Sequence, residues 1–132
     1  MKRYVFYISL LAVFFCAGCQ KEEILTDKPG EAVAPVTDLK YAISGSEATL
    51  TWKLPATFAE DIIKPVSVMV KITVDGQNGG TQVLDNNPER FTYAGYDPAK
   101  EYRFTVKVQG AVDTQDPYRS KLRLSPGTTI AF

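Results

Sequence analysis

The stretch that most constrains this chain is Phe91 to Val108, Phe-Thr-Tyr-Ala-Gly-Tyr-Asp-Pro-Ala-Lys-Glu-Tyr-Arg-Phe-Thr-Val-Lys-Val. It reads as strand, corner, strand. Phe91 and Tyr93 alternate with small or polar residues. Gly95-Tyr96-Asp97-Pro98 then interrupts the run, because proline fixes φ and has no N–H while glycine accepts positive φ. From Tyr102 the period of two returns, with Tyr102, Phe104, Val106 and Val108 on one face and Arg103, Thr105 and Lys107 on the other. A half-buried sheet is the only regular structure with that period.

The same pattern recurs along residues 34–132. Pro35 to Ile43 predicts a first strand with Val36, Leu39 and Ile43 as its apolar members, closed by Ser44-Gly45-Ser46. Glu47 to Leu54 alternates Ala48, Leu50, Trp52 and Leu54 against Thr49, Thr51 and Lys53. Pro55 to Lys64 reads as a loop. Pro65 to Val74 is the longest strand, with Val66, Val68, Val70, Ile72 and Val74 on one face. β-branched residues favour that setting. Asp75 to Gly80 reads as a turn region, Thr81 to Leu84 as a short strand, and Asp85 to Pro88 as a turn. Gly110 to Tyr118 reads as a loop. Arg119 to Phe132 is a last strand with a bend at Pro126-Gly127. The expectation is an all-β, seven-stranded antiparallel sandwich with Greek-key connections.

Composition narrows the function. Histidine is absent from the 132 residues. That removes the commonest general base, the Ser-His and Cys-His pairs and nearly all zinc sites. Lys+Arg and Asp+Glu are both 15, so no basic face points to nucleic acid. No metal, cofactor or enzymatic activity is expected. The two cysteines, Cys16 and Cys19, lie together near the start, so residues 34–132 hold no disulfide.

The first residues read as an address followed by an anchor. Lys2 and Arg3 precede Tyr4 to Phe15, an apolar run with Ser9 as its one plainly polar member. It is shorter than the ~20 residues that span a bilayer and fits a signal-peptide core. Cys16-Ala17-Gly18-Cys19 follows and resembles the bacterial lipobox, with Cys16 where an aliphatic residue usually stands. The resemblance implies a signal peptide over 1–18 and a lipidated Cys19 holding the protein on a membrane. Residues 19–33 read as that cysteine and a linker, spanning ~20 Å as a flexible coil. Gln20-Lys21-Glu22-Glu23 resembles the export signal of surface lipoproteins in Bacteroidota, which implies the outer face of the outer membrane, or else the periplasm-facing leaflet.

Residues 34–132 resemble a fibronectin type III domain. The resemblance rests on Pro35, on Trp52 with Pro55 after it, and on Gly95-Tyr96-x-Pro98 followed by Tyr102-x-Phe104-x-Val106. It implies that Trp52 and Tyr96 are core. It also makes Tyr102 a corner tyrosine whose hydroxyl bonds back to backbone near Tyr96 to Pro98. The whole chain also resembles small lipoproteins of Bacteroidota carrying one such domain.

Chemistry-bearing constellations are few. Glu60-Asp61 is an adjacent acidic pair in a stretch read as a solvated loop. Asp113-x-x-Asp116 supplies too few oxygens for calcium. What remains is recognition by loops on a rigid scaffold. Phe58 and Ile62 in the first long loop, and Asp113, Asp116, Tyr118 and Arg119 in the second, are the candidate binding residues. The resemblance brings both loops to one end of the sandwich, beside the tether. The expected role is a non-catalytic envelope module for a protein or glycan partner. The alternative is an accessory subunit that pairs through an edge strand, the last strand being the candidate.

Overall fold

A computed structural model describes residues 32–132. The expected signal peptide, Cys19 and the tether up to residue 31 lie outside the described residues. In chain order the strands are β1 (Thr37–Ser44), β2 (Glu47–Lys53), β3 (Ile62–Val74), β4 (Gln77–Leu84), β5 (Arg90–Ala94), β6 (Tyr102–Val112), β7 (Leu122–Leu124) and β8 (Thr128–Ala131). No helix occurs among the described residues.

The strands make two antiparallel sheets facing each other as a β-sandwich. One runs β1-β2-β5; the other runs β4-β3-β6-β7, with β8 also paired to β6. The seven expected strands become eight because the last one breaks. Pro126 has no N–H for the ladder. Ser125 sits at the break, buried, and closes the ladder through backbone and side chain: its N–H donates to the Val108 carbonyl at 2.9 Å, and Val108 N–H donates to Ser125 Oγ at 2.8 Å.

Period-two alternation places the core between the sheets. β2 contributes Ala48, Leu50 and Trp52; β3 contributes Val66, Val68, Val70 and Ile72; β6 contributes Tyr102, Phe104, Val106 and Val108. Burying each large apolar side chain contributes roughly 1.5–3 kcal/mol. Trp52 keeps its indole N–H satisfied by donating to the Pro88 carbonyl at 2.8 Å. Val33 is buried in the same cluster, so the folded body reaches one residue further toward the N-terminus than the expected boundary.

Several sequence-based boundaries shift. The turn at 75–80 uses only Asp75 and Gly76, both at positive φ (50° and 74°), and pairing resumes at Gln77. An Asp-Gly pair at such angles makes a tight hairpin turn. Gly79 and Gly80 then form an irregularity in β4 rather than a loop. β3 begins at Ile62 rather than Pro65, because the chain resumes pairing with β6 on the far side of Pro65. At that interruption Asn87 serves Val66 instead: its Oδ1 accepts from Val66 N–H at 2.8 Å, and its N–H donates to Val66 O at 3.0 Å. Ile43, expected in the core, points toward the sandwich interior but stays 43% exposed, because β1 is an edge strand.

The corner between β5 and β6 packs rings. Tyr102 is buried; its hydroxyl accepts from Asp97 N–H at 3.0 Å and reaches the Gly95 carbonyl at 3.4 Å. Tyr96 is half-buried there, its ring centroid 5.2 Å from that of Tyr102. Phe132 stacks between Phe104 and Tyr41, at 5.5 and 4.0 Å.

Candidate functional site

The opposite end carries the two long loops. Ile62 pairs with Val112, so the loop of residues 54–61 and the loop of residues 113–121 spring from neighbouring strands. Asp113 N–H donates to the Asp61 carbonyl at 2.9 Å, which joins the loops directly. Val112 N–H donates to Lys121 O at 2.8 Å and closes the base of the second loop. Thr37 stands opposite Lys53, so the chain also enters the sandwich at this end.

The acidic pair of the first loop divides. Glu60 is exposed. Asp61 is not a solvated loop carboxylate: Arg123 grips it with both guanidinium nitrogens, at 3.0 and 2.8 Å. Such fork-to-fork pairs are directional as well as charged. The hydrogen bond from Arg123 holds the Asp61 carboxyl below its ordinary value of 3.8. Because Arg123 belongs to β7, this pair ties the first loop to the strand that follows the second.

The second loop is wound on its own hydrogen bonds. Asp116 Oδ1 accepts from Tyr118 N–H at 2.9 Å, and Asp116 O accepts from Arg119 N–H at 3.2 Å. Asp116 is therefore a turn-former, as short acidic side chains often are. Among the described residues no group of three or more potential metal-binding side chains comes together. The winding leaves Tyr118 92% exposed, with Arg119 exposed beside it. Asp113 is exposed at the loop's start.

The remaining candidates separate. Ile62 is no loop residue: it is 5% exposed at the start of β3, against Gly110. A Cβ on Gly110 would lie 2.9 Å from an Ile62 methyl, so a strand glycine makes room for that side chain. Phe58 is half-buried against the core, and the Lys64 ammonium lies 5.7 Å above its ring. Phe58, Ala59, Glu60 and Asp61 line an open depression of about 490 Å³. A second cleft of about 390 Å³ lies at the corner end, lined by Thr73, Gly76, Glu101, Tyr102, Arg103, Ala131 and Phe132.

Sequence reasoning missed one set. Ile63, Leu122 and Leu124 are apolar and about half-exposed. The signal was present in Ile62-Ile63, since adjacent strand residues face opposite ways and one of two neighbouring isoleucines must point out. The last strand, expected as a pairing edge, is cut into pieces of three and four residues, both already bonded to β6 on one side.

No curated protein matches the chain. Solved structures resemble it at low identity. A computationally redesigned β-sandwich protein is 17% identical, with a TM-score of 0.52 over 74% of this chain and 86% of that one. A chain from titin kinase and its flanking domains is 19% identical, with a TM-score of 0.46 over 74% of this chain and 16% of that one. A myokine structure is 12% identical, with a TM-score of 0.47 over 77% of this chain and 96% of that one. The first of these likenesses concerns the sandwich fold alone. The profile of one family, described as a domain of unknown function (DUF4945), matches residues 19–132, and the chain belongs to that family.

Proposed function

We propose that this protein is a lipid-anchored, non-catalytic module of a bacterial cell envelope, exposed on the outer membrane, that recognises a protein or glycan partner through its loop end. Cys19 is the attachment point, and Tyr118 and Arg119 are the first contacts. The observation that carries the reading is the joined pair of loops. A backbone hydrogen bond and the Asp61–Arg123 pair hold them together, while the ring of Tyr118 stands in solvent. An exposed aromatic beside an arginine, on a braced scaffold, is chemistry suited to recognition.

The test has two parts. Protease shaving of intact cells should release the domain, and mass spectrometry of the mature N-terminus should show an acylated Cys19. Glycan-array and pull-down binding by the anchored protein should then fall when Tyr118 and Arg119 are both replaced by alanine. Binding unchanged by that double substitution would sink the loop assignment.

A second reading, edge-strand pairing, has one observation in its favour. β4 lies at a sheet edge, and its eight residues include neither a charge nor a proline. Both are common guards against strand addition. Under this reading the amides of Thr81 to Leu84 gain hydrogen-exchange protection in the assembled state, and the loop substitutions change nothing.

A further inference from the structure

The outward side of the five-stranded sheet differs from the rest of the surface. Register decides which residues share it. Ile63 stands opposite Ala111, and Ala111 opposite Leu122. Gln109 stands opposite Leu124, while Met69 lies between Val83 and Lys107. Ile63, Val83, Leu122 and Leu124 therefore lie on one face, with exposures of 49%, 50%, 52% and 46%. Lys71, Arg103 and Lys107 occupy the same face by the same alternation. None of the three takes part in the ion pairs of the described residues, which involve Asp38, Lys40, Lys53, Asp61 and Arg123.

No aspartate or glutamate occupies an outward strand position of this sheet. Its carboxylates stand at the rim, where Asp75, Asp85, Glu101 and Asp113 each adjoin a strand end, and Asp85 accepts a hydrogen bond from Ser67 Oγ at 2.7 Å. The five-stranded face also bears Ser67, Thr73, Thr81, Thr105 and Gln109, whereas the outward side of the three-stranded sheet has no large aliphatic among its paired residues Glu47, Thr49, Thr51, Arg90, Thr92 and Ala94.

We infer that the outward face of the five-stranded sheet docks on a bilayer surface that bears anionic lipid phosphates. The chemistry fits an interface: aliphatic side chains for the acyl boundary, and cations outside the ion pairs of the described residues for headgroup phosphates. The position of the tether fits as well. The chain enters beside β8, the neighbour of β6 in this sheet, since Thr128 Oγ1 donates to the Val36 carbonyl at 3.2 Å. On the anchored reading proposed above, on which this inference rests, the segment from Cys19 to Val33 reaches at most about 50 Å. A second copy fits the face less well, because self-pairing of the sheet would bring its three cations against their own images. With this face down, the polar three-stranded face points away from the lipid, and Tyr118 is presented along the membrane surface.

The test uses residues 19–132 with Cys19→Ser, since every described strand and core residue lies within that span. Sedimentation with vesicles of phosphatidylcholine containing roughly 30% phosphatidylglycerol should show binding about tenfold or more above pure phosphatidylcholine. Lys71→Glu, Arg103→Glu and Lys107→Glu together should remove that excess. Leu122→Ser with Leu124→Ser should weaken binding with unchanged thermal melting, which separates lost docking from lost folding. The added fluorescence of Leu122→Trp should shift to the blue on vesicles, while that of Thr49→Trp on the opposite face should not. Equal binding to neutral vesicles, or binding indifferent to the charge reversals, overturns the inference. A concentration-dependent dimer abolished by the same leucine substitutions also overturns it and assigns the face to a second copy. The acylation state of Cys19 is read separately by mass, so failure of the anchor leaves the vesicle result interpretable.

Discussion

The two ends of this sandwich use aromatic residues in opposite ways. At the corner end, Tyr93, Tyr96, Tyr102, Phe104 and Phe132 meet as rings with centroids 5.2 to 6.3 Å apart. The corner backbone is fastened by the Tyr102 hydroxyl. At the loop end, Tyr118 stands alone in solvent, on a loop held by hydrogen bonds between residues two and three apart. An aromatic packed among ring neighbours has less surface left for a partner. The conspicuous tyrosines of the sequence are thus spent on stability, and the surface suited to recognition lies where the sequence pattern is weakest.

If that division is right, damage at the two ends should give different phenotypes. The largest effect is expected from Phe104→Ala. This side chain is fully buried at the centre of the ring cluster, and its loss should cost about 3–5 kcal/mol in denaturant unfolding. Any partner affinity of the surviving folded fraction should be unchanged. Gly110→Ala probes the seam between core and loops. Its new methyl would sit 2.9 Å from Ile62 Cγ2, an overpacking that typically costs about 1–3 kcal/mol.

Tyr102→Phe removes one hydroxyl and should cost about 0.5–1.5 kcal/mol. Affinity should again be untouched; a Tyr102→Phe protein that lost binding but kept its stability would erase the distinction between the ends. Arg123→Ala sharpens it from the other side. The Asp61 carboxyl sits below 3.8 in the folded state because Arg123 bonds it. The stability supplied by this pair is therefore present above about 3.8 and is lost as the pH falls below that value, through the lowered folded-state pKa. The difference between wild-type and Arg123→Ala melting temperatures should shrink over that acid range, and amide exchange at Asp113 should quicken at neutral pH. Tyr118→Ala is expected to do least to stability, within about 0.5 kcal/mol. On the proposed reading it does most to binding.

How much was legible can be judged residue by residue. The inward faces of β2, β3 and β6 follow from alternation alone, because the period of two leaves a half-buried strand no other orientation. Ile62 was misread because Pro65 interrupts β3; a pattern rule ends the strand at the proline, whereas the folded chain resumes pairing beyond it. Gly110 was misread for a related reason, as a glycine counted for a loop when its missing Cβ made room for Ile62. Asp61 looked solvated because its partner Arg123 is 62 residues away. A pairing over that distance leaves no trace in spacing or composition.

The sequence by itself determined an all-β chain with a corner at Gly95 to Pro98 and a core built on Trp52, Tyr102 and the valines of β3 and β6. Those follow from local rules: side-chain period, the dihedral limits of proline and glycine, and the burial of apolar surface. Only the tertiary structure decided that the two loops are joined, that Asp61 is held by Arg123, and that Ile63, Val83, Leu122 and Leu124 share one face with three cations outside the ion pairs of the described residues. The physical reason is that strand register brings distant residues together. Alternation says which side of a strand a residue faces, and pairing says what stands beside it.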